Sequence, residues 1–265
     1  MKLYQCLLVQ NRWYKSGNTI KKTGIVVHSS GANNQELRRY VNPAIRQTDG
    51  MGVILPEGKR WDRFQALQAI GTNQYGNDWN RASQPYGMHA FVGKLADGTV
   101  TAVQTLPWDS FLWGCGSGKN GSYNASHIQF EICEDTTDRE YTKAAYEAAV
   151  ELCAYLCRAF EIPVNKIRSH RESHMDGYAS AHVDPEHWWS LCGYTMDSFR
   201  EAVARAMGRN ERPDPVETTV QNAVQDIGLN SPQYWKAVLR NETTASGANI
   251  QALMDKYHQA VTEMK

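Results

Sequence analysis

Nothing in this chain of 265 residues is in excess in a way that would name a partner. Lys and Arg together number 28, and so do Asp and Glu. That balance removes the electrostatic case for a nucleic acid or an anionic membrane surface, both of which draw a basic surplus. No segment approaches the run of about twenty apolar residues that a membrane span requires. The opening Met1-Lys2-Leu3-Tyr4-Gln5-Cys6 leads into Gln10-Asn11-Arg12 without an apolar stretch of signal length. The expectation is a chain with no nucleic-acid partner and no membrane insertion, cytoplasmic on synthesis and held there until something releases it. The cysteines, at 6, 115, 133, 153, 157 and 192, form no Cys-x-x-Cys pair. Neither a zinc ribbon nor a disulfide-stapled scaffold is indicated. Repeats and low-complexity tracts are also lacking.

What is present suits a globular protein. Apolar residues make up 42% and charged residues 21%, enough to bury a real core. Eight Trp and thirteen Tyr supply flat amphipathic rings, which pack cores more often than they line carbohydrate grooves. Residues 23–30, TGIVVHSS, read as a buried β-branched strand with His28 at its exit. A short helix is expected from Asn33, Asn34 and Gln35 through Leu37 and Tyr40, stopped by Pro43. Residues 44–85 read as irregular, anchored by Trp61 and Trp79. Residues 87–106 read as a β-hairpin turning at Asp97-Gly98.

The segment His127–Glu134 alternates strictly, so Ile128, Phe130 and Ile132 share one face while Gln129, Glu131 and Cys133 share the other. A long helix over about 140–161 keeps Ala145, Ala148, Val150, Leu152, Cys153, Leu156, Cys157 and Phe160 mostly to one stripe. A further amphipathic helix over 196–207 is expected to end at Gly208. The charged, proline-containing RNERPDPVE at 209–217 marks a linker. Beyond it, 218–265 reads as two or three short helices, one starting at Ser231-Pro232 and carrying Tyr234, Trp235, Val238 and Leu239 on an apolar face. So small a piece has little core of its own and is expected to dock, or to self-associate through these helices.

The chemistry concentrates in IRSHRESHMDGYASAHVDPEHWW, where His170, His174, His182 and His187 fall within eighteen residues beside Glu172, Asp176, Asp184 and Glu186. Histidine is the commonest zinc ligand, and carboxylates accompany it in hydrolytic sites. Any one histidine is more often a packed or surface residue, and the local spacing leaves two patterns open. His170 and His174 are four apart, as on one helix face, but the zincin motif needs Glu directly after the first His, and Arg171 stands there. The alternative is His182-x-Asp184 followed by Pro185, with His170 upstream and His28 remote. Ser29 and Ser30 lack the strained Gly-x-Ser-x-Gly turn of serine hydrolases. A cysteine hydrolase would pair Cys133 or Cys115 with His170.

GIVVHSSGANNQELRRYV, MHAFVGKLADGTVTAVQTLPW, NASHIQFEICED and the histidine segment, in this order over about residues 15–207, resemble the type 2 N-acetylmuramoyl-L-alanine amidases. That family is related to peptidoglycan recognition proteins and includes many phage endolysins. The resemblance implies an α/β fold, a central mixed β-sheet flanked by helices, over 1–208, followed by the small all-α segment. It implies one Zn²⁺ held by His28, His170 and Asp184, with Glu131 as general base and His182 at the position that steadies the oxyanion, where a Lys is commoner. Bacterial peptidoglycan is the implied substrate, cut after release of the enzyme as a phage or prophage lysin. A cell-wall recycling amidase and a non-catalytic binding module of the same fold are the alternatives. His89 and Trp113 are candidate substrate contacts: Trp113 can wall the groove, while His89 either faces the groove beside the zinc or is a packed strand histidine. Trp113-Gly114-Cys115-Gly116 departs from the family's Trp-His-Ala-Gly, and Met88 stands where some members have Tyr.

Overall fold

The computed structural model describes residues 3–41, 69–209, 231–239 and 244–263, together with Val220 and Ala223. Trp61 and nearly all of the expected linker lie outside these residues. The chain divides into two units, Met1–Met207 and Gly208–Lys265.

The first unit is organised by strands too apolar to face water. β1 (Leu3–Gln5), β2 (Gly24–Asn33), β3 (Ala90–Lys94), β4 (Val100–Gln104), β5 (His127–Glu134) and β6 (Ile167–Ser169) form one sheet in the order β1-β4-β3-β5-β2-β6. Only the β3–β4 hairpin is antiparallel, and the other neighbours run parallel. Gly98 takes a positive φ of 87° in the hairpin turn, a conformation that suits glycine. Every residue of β5 is buried, as expected of a central strand covered on both faces.

The alternation of β5 sorts the two faces. Ile128, Phe130 and Ile132 join Ile25, Val27, Ala90 and Val92 against the helix α2 (Arg139–Phe160). That helix starts where the Asp138 side chain accepts from Tyr141 N, and it ends at Glu161 in the left-handed region, two residues before Pro163. Trp188 and Trp189 from the short helix α4 (Glu186–Trp189), and Phe199 and Val203 from α5 (Met196–Arg209), complete this layer. The opposite face holds a smaller cluster around Phe91, Val103, Leu37, Tyr40 and Leu8. Among the described residues, the 3-10 turn at Leu37–Arg39 and the half-buried Trp79 pack on it.

Several expectations change. Residues 33–40 form only a 3-10 turn at Leu37–Arg39, because Asn33 still belongs to β2, paired with Glu134. Gly208 lies within α5 and not beyond it, with no positive φ. The N-terminal β1, the helix α1 (Arg12–Ser16) and β6 were not foreseen. In the second unit, α6 (Pro232–Leu239) begins where expected, with Tyr234 N donating to Ser231 O, and α7 (Gly247–Glu263) follows.

Gly24 marks how tightly β2 sits between its neighbours. A Cβ there would lie 2.3 Å from His127 Nε2 and 2.7 Å from the Lys166 carbonyl oxygen. Gly24→Ala should therefore lower the unfolding free energy by about 1–3 kcal/mol through overpacking, read as a shift of the urea midpoint at unchanged slope.

Candidate metal centre

Three parallel strands deliver the site. β2 lies between β5 and β6, and their register sets His28 opposite Glu131 and Val27 opposite Ser169. His170 follows Ser169 directly and opens the helix α3 (His170–Met175), so His28, Glu131 and His170 gather at one edge of the sheet. The turn into α3 is fixed by a capping box: Glu172 N donates to Ser169 Oγ at 2.9 Å and Ser169 N to Glu172 Oε2 at 3.2 Å. Arg200 grips the same carboxylate through both terminal nitrogens, at 2.8 and 3.0 Å. Glu172 is thus spent on structure, which closes the zincin reading. His174 sends its Nδ1 to the Ala179 carbonyl at 3.2 Å.

Asp184 arrives from the loop before α4 and is locked by Ser29 N, which donates to its Oδ2 at 3.2 Å. His28 Nδ1 lies 3.1 Å from His170 Nδ1, 3.4 Å separate His28 Nδ1 from Asp184 Oδ2, and 3.3 Å separate His170 Nδ1 from Asp184 Oδ1. All three residues are buried. Ligands of a tetrahedral ion with bonds of about 2.0–2.1 Å are spaced by roughly 3.3 Å. The triangle therefore has edge lengths, and a two-imidazole, one-carboxylate donor set, that fit a small divalent metal ion beside the groove.

Charge and burial shape the neighbours. Burial alone would raise the Asp184 carboxyl, but the His170 and His28 rings that face it outweigh burial and hold it far below the ordinary range. Burial lowers the His170 imidazole against the pull of Asp184. Glu131 is pushed up to about 8, first by burial and then by the Asp184 and Glu134 carboxylates. A carboxyl so placed can accept and return a proton near neutrality. The exposed His182 ring stacks on His170 at 4.2 Å and 11°, with its Nδ1 3.5 Å from Asp184 Oδ1. Behind Asp184, Ser29 Oγ donates to Glu134 Oε2 at 2.6 Å, and His187 Nε2 meets Glu134 Oε1 at 3.1 Å.

The centre opens into a groove of about 1220 Å³ whose wall includes Trp79, Tyr86, Met88 and Trp113. Trp113 is 38% exposed on that wall. His89 does not line the groove. It is fully buried, its Nε2 meets the Ser110 carbonyl at 2.9 Å and its Nδ1 accepts from Gln129 N at 2.9 Å, so both nitrogens are engaged inside the fold. Burial lowers its pKa to about 4. The cysteine-hydrolase reading also falls: Cys115 and Cys133 are buried, and burial raises the first to about 11 and the second well above the usual thiol value. Residues the sequence did not single out, Asn124, Gln129 and Ser180, contact the ligand imidazoles or brace what does. The alternation of β5 already put Gln129 beside Glu131, and that was the available signal.

A family model described as N-acetylmuramoyl-L-alanine amidase matches residues 17–187. The N-acetylmuramoyl-L-alanine amidase CwlA of a Bacillus species is 35% identical over 71 residues, which span 27% of this chain and 28% of that relative. Among solved structures, the hydrolase AmiA of Staphylococcus aureus aligns with TM-score 0.49 and 15% identity, over 78% of this chain and 83% of that one. PlyL aligns with TM-score 0.46 and 19% identity, over 77% of this chain and 97% of that one.

The geometry predicts about one tightly held divalent ion per chain. Equilibrium dialysis against Zn²⁺ should find it in the wild type and not in His28→Ala or Asp184→Ala, while His174→Ala should bind as the wild type does. Loss of the ion on changing His174 would reassign the ligands.

Proposed function

The chain belongs to the N-acetylmuramoyl-L-alanine amidase family, and on that premise we propose that it hydrolyses the amide between the lactyl group of N-acetylmuramic acid and L-alanine in bacterial peptidoglycan. The observation that carries the reading is the meeting of His28, His170 and Asp184, which are remote in sequence, at one edge of the sheet that also presents Glu131 to the groove. In this reading those three residues hold one Zn²⁺. The ion, when bound, supplies Lewis acidity, acidifying a water and polarising the lactyl carbonyl.

The protein's own groups do the rest. Glu131 removes a proton from the attacking water and returns it to the amine of L-alanine as the amide bond breaks. A carboxyl biased by burial toward its protonated form suits the second half of that exchange. His182 stands half in solvent, and 3.5 Å from Asp184 is too long for a hydrogen bond, so its N–H is free to turn to the developing oxyanion. Burial and the neighbouring His170 lower its pKa, so a neutral ring with one N–H is the form that donates. Trp113, Tyr86 and Trp79 offer aromatic faces to sugar rings along the groove.

The intact ligand set with a carboxyl beside it favours an enzyme over a binding module that keeps the fold alone. We assign residues 1–208 to catalysis and 218–265 to a helical targeting or dimerising segment, joined by the linker 209–217, in an enzyme that acts on the wall as a phage or prophage endolysin.

Mass spectrometry of digested cell wall should reveal new lactyl-muramic ends together with free L-alanine amino groups. New reducing sugar ends would refute the assignment. Glu131→Gln should keep its zinc while hydrolysis falls by about 10²–10⁴-fold, measured as release of labelled peptide. Near-normal hydrolysis by that variant would remove Glu131 from the mechanism.

A further inference from the structure

Behind the two ligand imidazoles runs a chain of hydrogen bonds whose polarity is set by backbone groups. Gly114 N and Cys115 N converge on Asn124 Oδ1 at 2.9 and 3.0 Å. Backbone N–H groups can only donate, so the Asn124 oxygen must face them. Its amide nitrogen correspondingly donates to the Gly116 carbonyl at 2.8 Å. Asn124 is 1% exposed and has no freedom to flip. Gln129, fully buried, lies next in line: the amide end that meets Asn124 Oδ1 at 2.9 Å must be its NH₂, because an oxygen there would face another acceptor. Its Oε1 is thereby turned to His28 Nε2 at 3.0 Å. The imidazole must bring a proton to that contact. A neutral ring has only one, so Nδ1 is left as a bare lone pair.

The other ligand is treated the same way from the opposite side of the same loop. The Cys115 carbonyl accepts from Ser180 N at 2.9 Å and from Ser180 Oγ at 3.2 Å. With its proton committed there, Ser180 Oγ meets His170 Nε2 at 3.4 Å as an acceptor. His170 Nδ1 is then bare too, 3.1 Å from His28 Nδ1. Both bare nitrogens also face the Asp184 carboxylate, at 3.4 and 3.3 Å, so the lone pairs of all three groups repel one another unless a cation lies between them.

We propose that the backbone of Gly114–Gly116, acting through Asn124, Gln129 and Ser180, sets the tautomer of both ligand imidazoles and ties the metal centre to the groove wall that carries Trp113. Gln129 is on this account a positioning residue for His28, and Ser180 for His170. The absence of side chains on the loop is part of the device. A Cβ at 114 would stand 2.5 Å from Gln129 Oε1, part of an amide already pinned by His28 at its oxygen and Asn124 at its nitrogen. A Cβ at 116 would stand 2.6 Å from Ser180 Oγ, and Gly116 has a φ of +65° as well.

This inference rests on the metal-site reading of His28 and His170, and its test does not use hydrolysis. In the metal-free wild-type chain in alkaline buffer, ¹⁵N chemical shifts of the imidazoles should report the Nε2–H tautomer for both rings. The Nδ1–H tautomer at His28 would overturn the proposal, and this measurement needs no variant. Gln129→Met, close in volume but unable to accept, should mix the tautomers of His28 alone, and Ser180→Ala those of His170 alone. Gln129→Met should also weaken binding of Zn²⁺ by about 10–100-fold. A merely structural role would lower thermal stability without moving either signal selectively, and wild-type zinc affinity in Gln129→Met would refute the brace. Wild-type protein that bound no zinc at all would defeat the metal reading instead, while the ring shifts would still decide the hydrogen-bond polarity.

Discussion

Everything in the first unit is subordinate to bringing two imidazoles and a carboxylate within about one ligand spacing of each other inside the fold. Burying polar and charged groups is costly unless they are paired. His28, Glu131, Glu134, His170 and Asp184 are all buried at the same edge. Three of them are acids, and Glu131 is raised first by burial and then by the Asp184 and Glu134 carboxylates beside it. The arrangement is resolved locally by Asp184, which stays ionised because His28 and His170 face it. Beside it, Glu134 is held between Ser29 and His187. The net arrangement is an electrostatic cage that favours a cation at its centre.

The sheet makes such a cage affordable in conformational terms. Parallel strands end at a common edge, so residues far apart in sequence arrive there without any loop having to be strained into place. The register of β2 with β5 and β6 does this for positions 28, 131 and 170. Asp184 is the one ligand from a loop. It is also the one held by a backbone donor, Ser29 N, on the strand that carries the first ligand. The large aromatic core under α2, α4 and α5 stiffens the platform from the far side of the sheet.

The long elements were legible in the sequence because their periods are long enough to read: the alternation of β5, the hairpin around Asp97-Gly98 and the apolar stripe of α2 all reappear in place. β1 and β6 have three residues each, too few for a period to be distinguished from chance, and exist only because a neighbouring strand pairs with them. The ligand set was not legible from local spacing. His170 and His174 share a helix, as their separation suggests, yet the second ring turns to a backbone carbonyl. What brought 28, 170 and 184 forward was the resemblance of ordered segments, since a site assembled across a sheet leaves no fixed spacing. His89 stays open between groove and core in the sequence for a related reason. A histidine at a strand entrance looks the same in sequence whether its nitrogens face a groove or meet Ser110 O and Gln129 N.

The same blindness applied to Trp113-Gly114-Cys115-Gly116, which in the sequence is simply a departure from the pattern it resembles. In the fold Gly114 and Gly116 have a positive reason to be small. The side chain of Gln129 comes up from β5 into the space that a Cβ at 114 would need, and Ser180 fills the space beside 116. Between the two glycines, the Cys115 side chain is buried, and its thiol sits against Asn124 Oδ1 at 3.3 Å, within the same hydrogen-bond cluster. The loop thus gives up side chains that could reach into the groove and in exchange lets buried amides approach both ligand rings. Side chains that could reach the groove and close packing behind His28 and His170 compete here for the same few ångströms, and in this chain the packing has taken them.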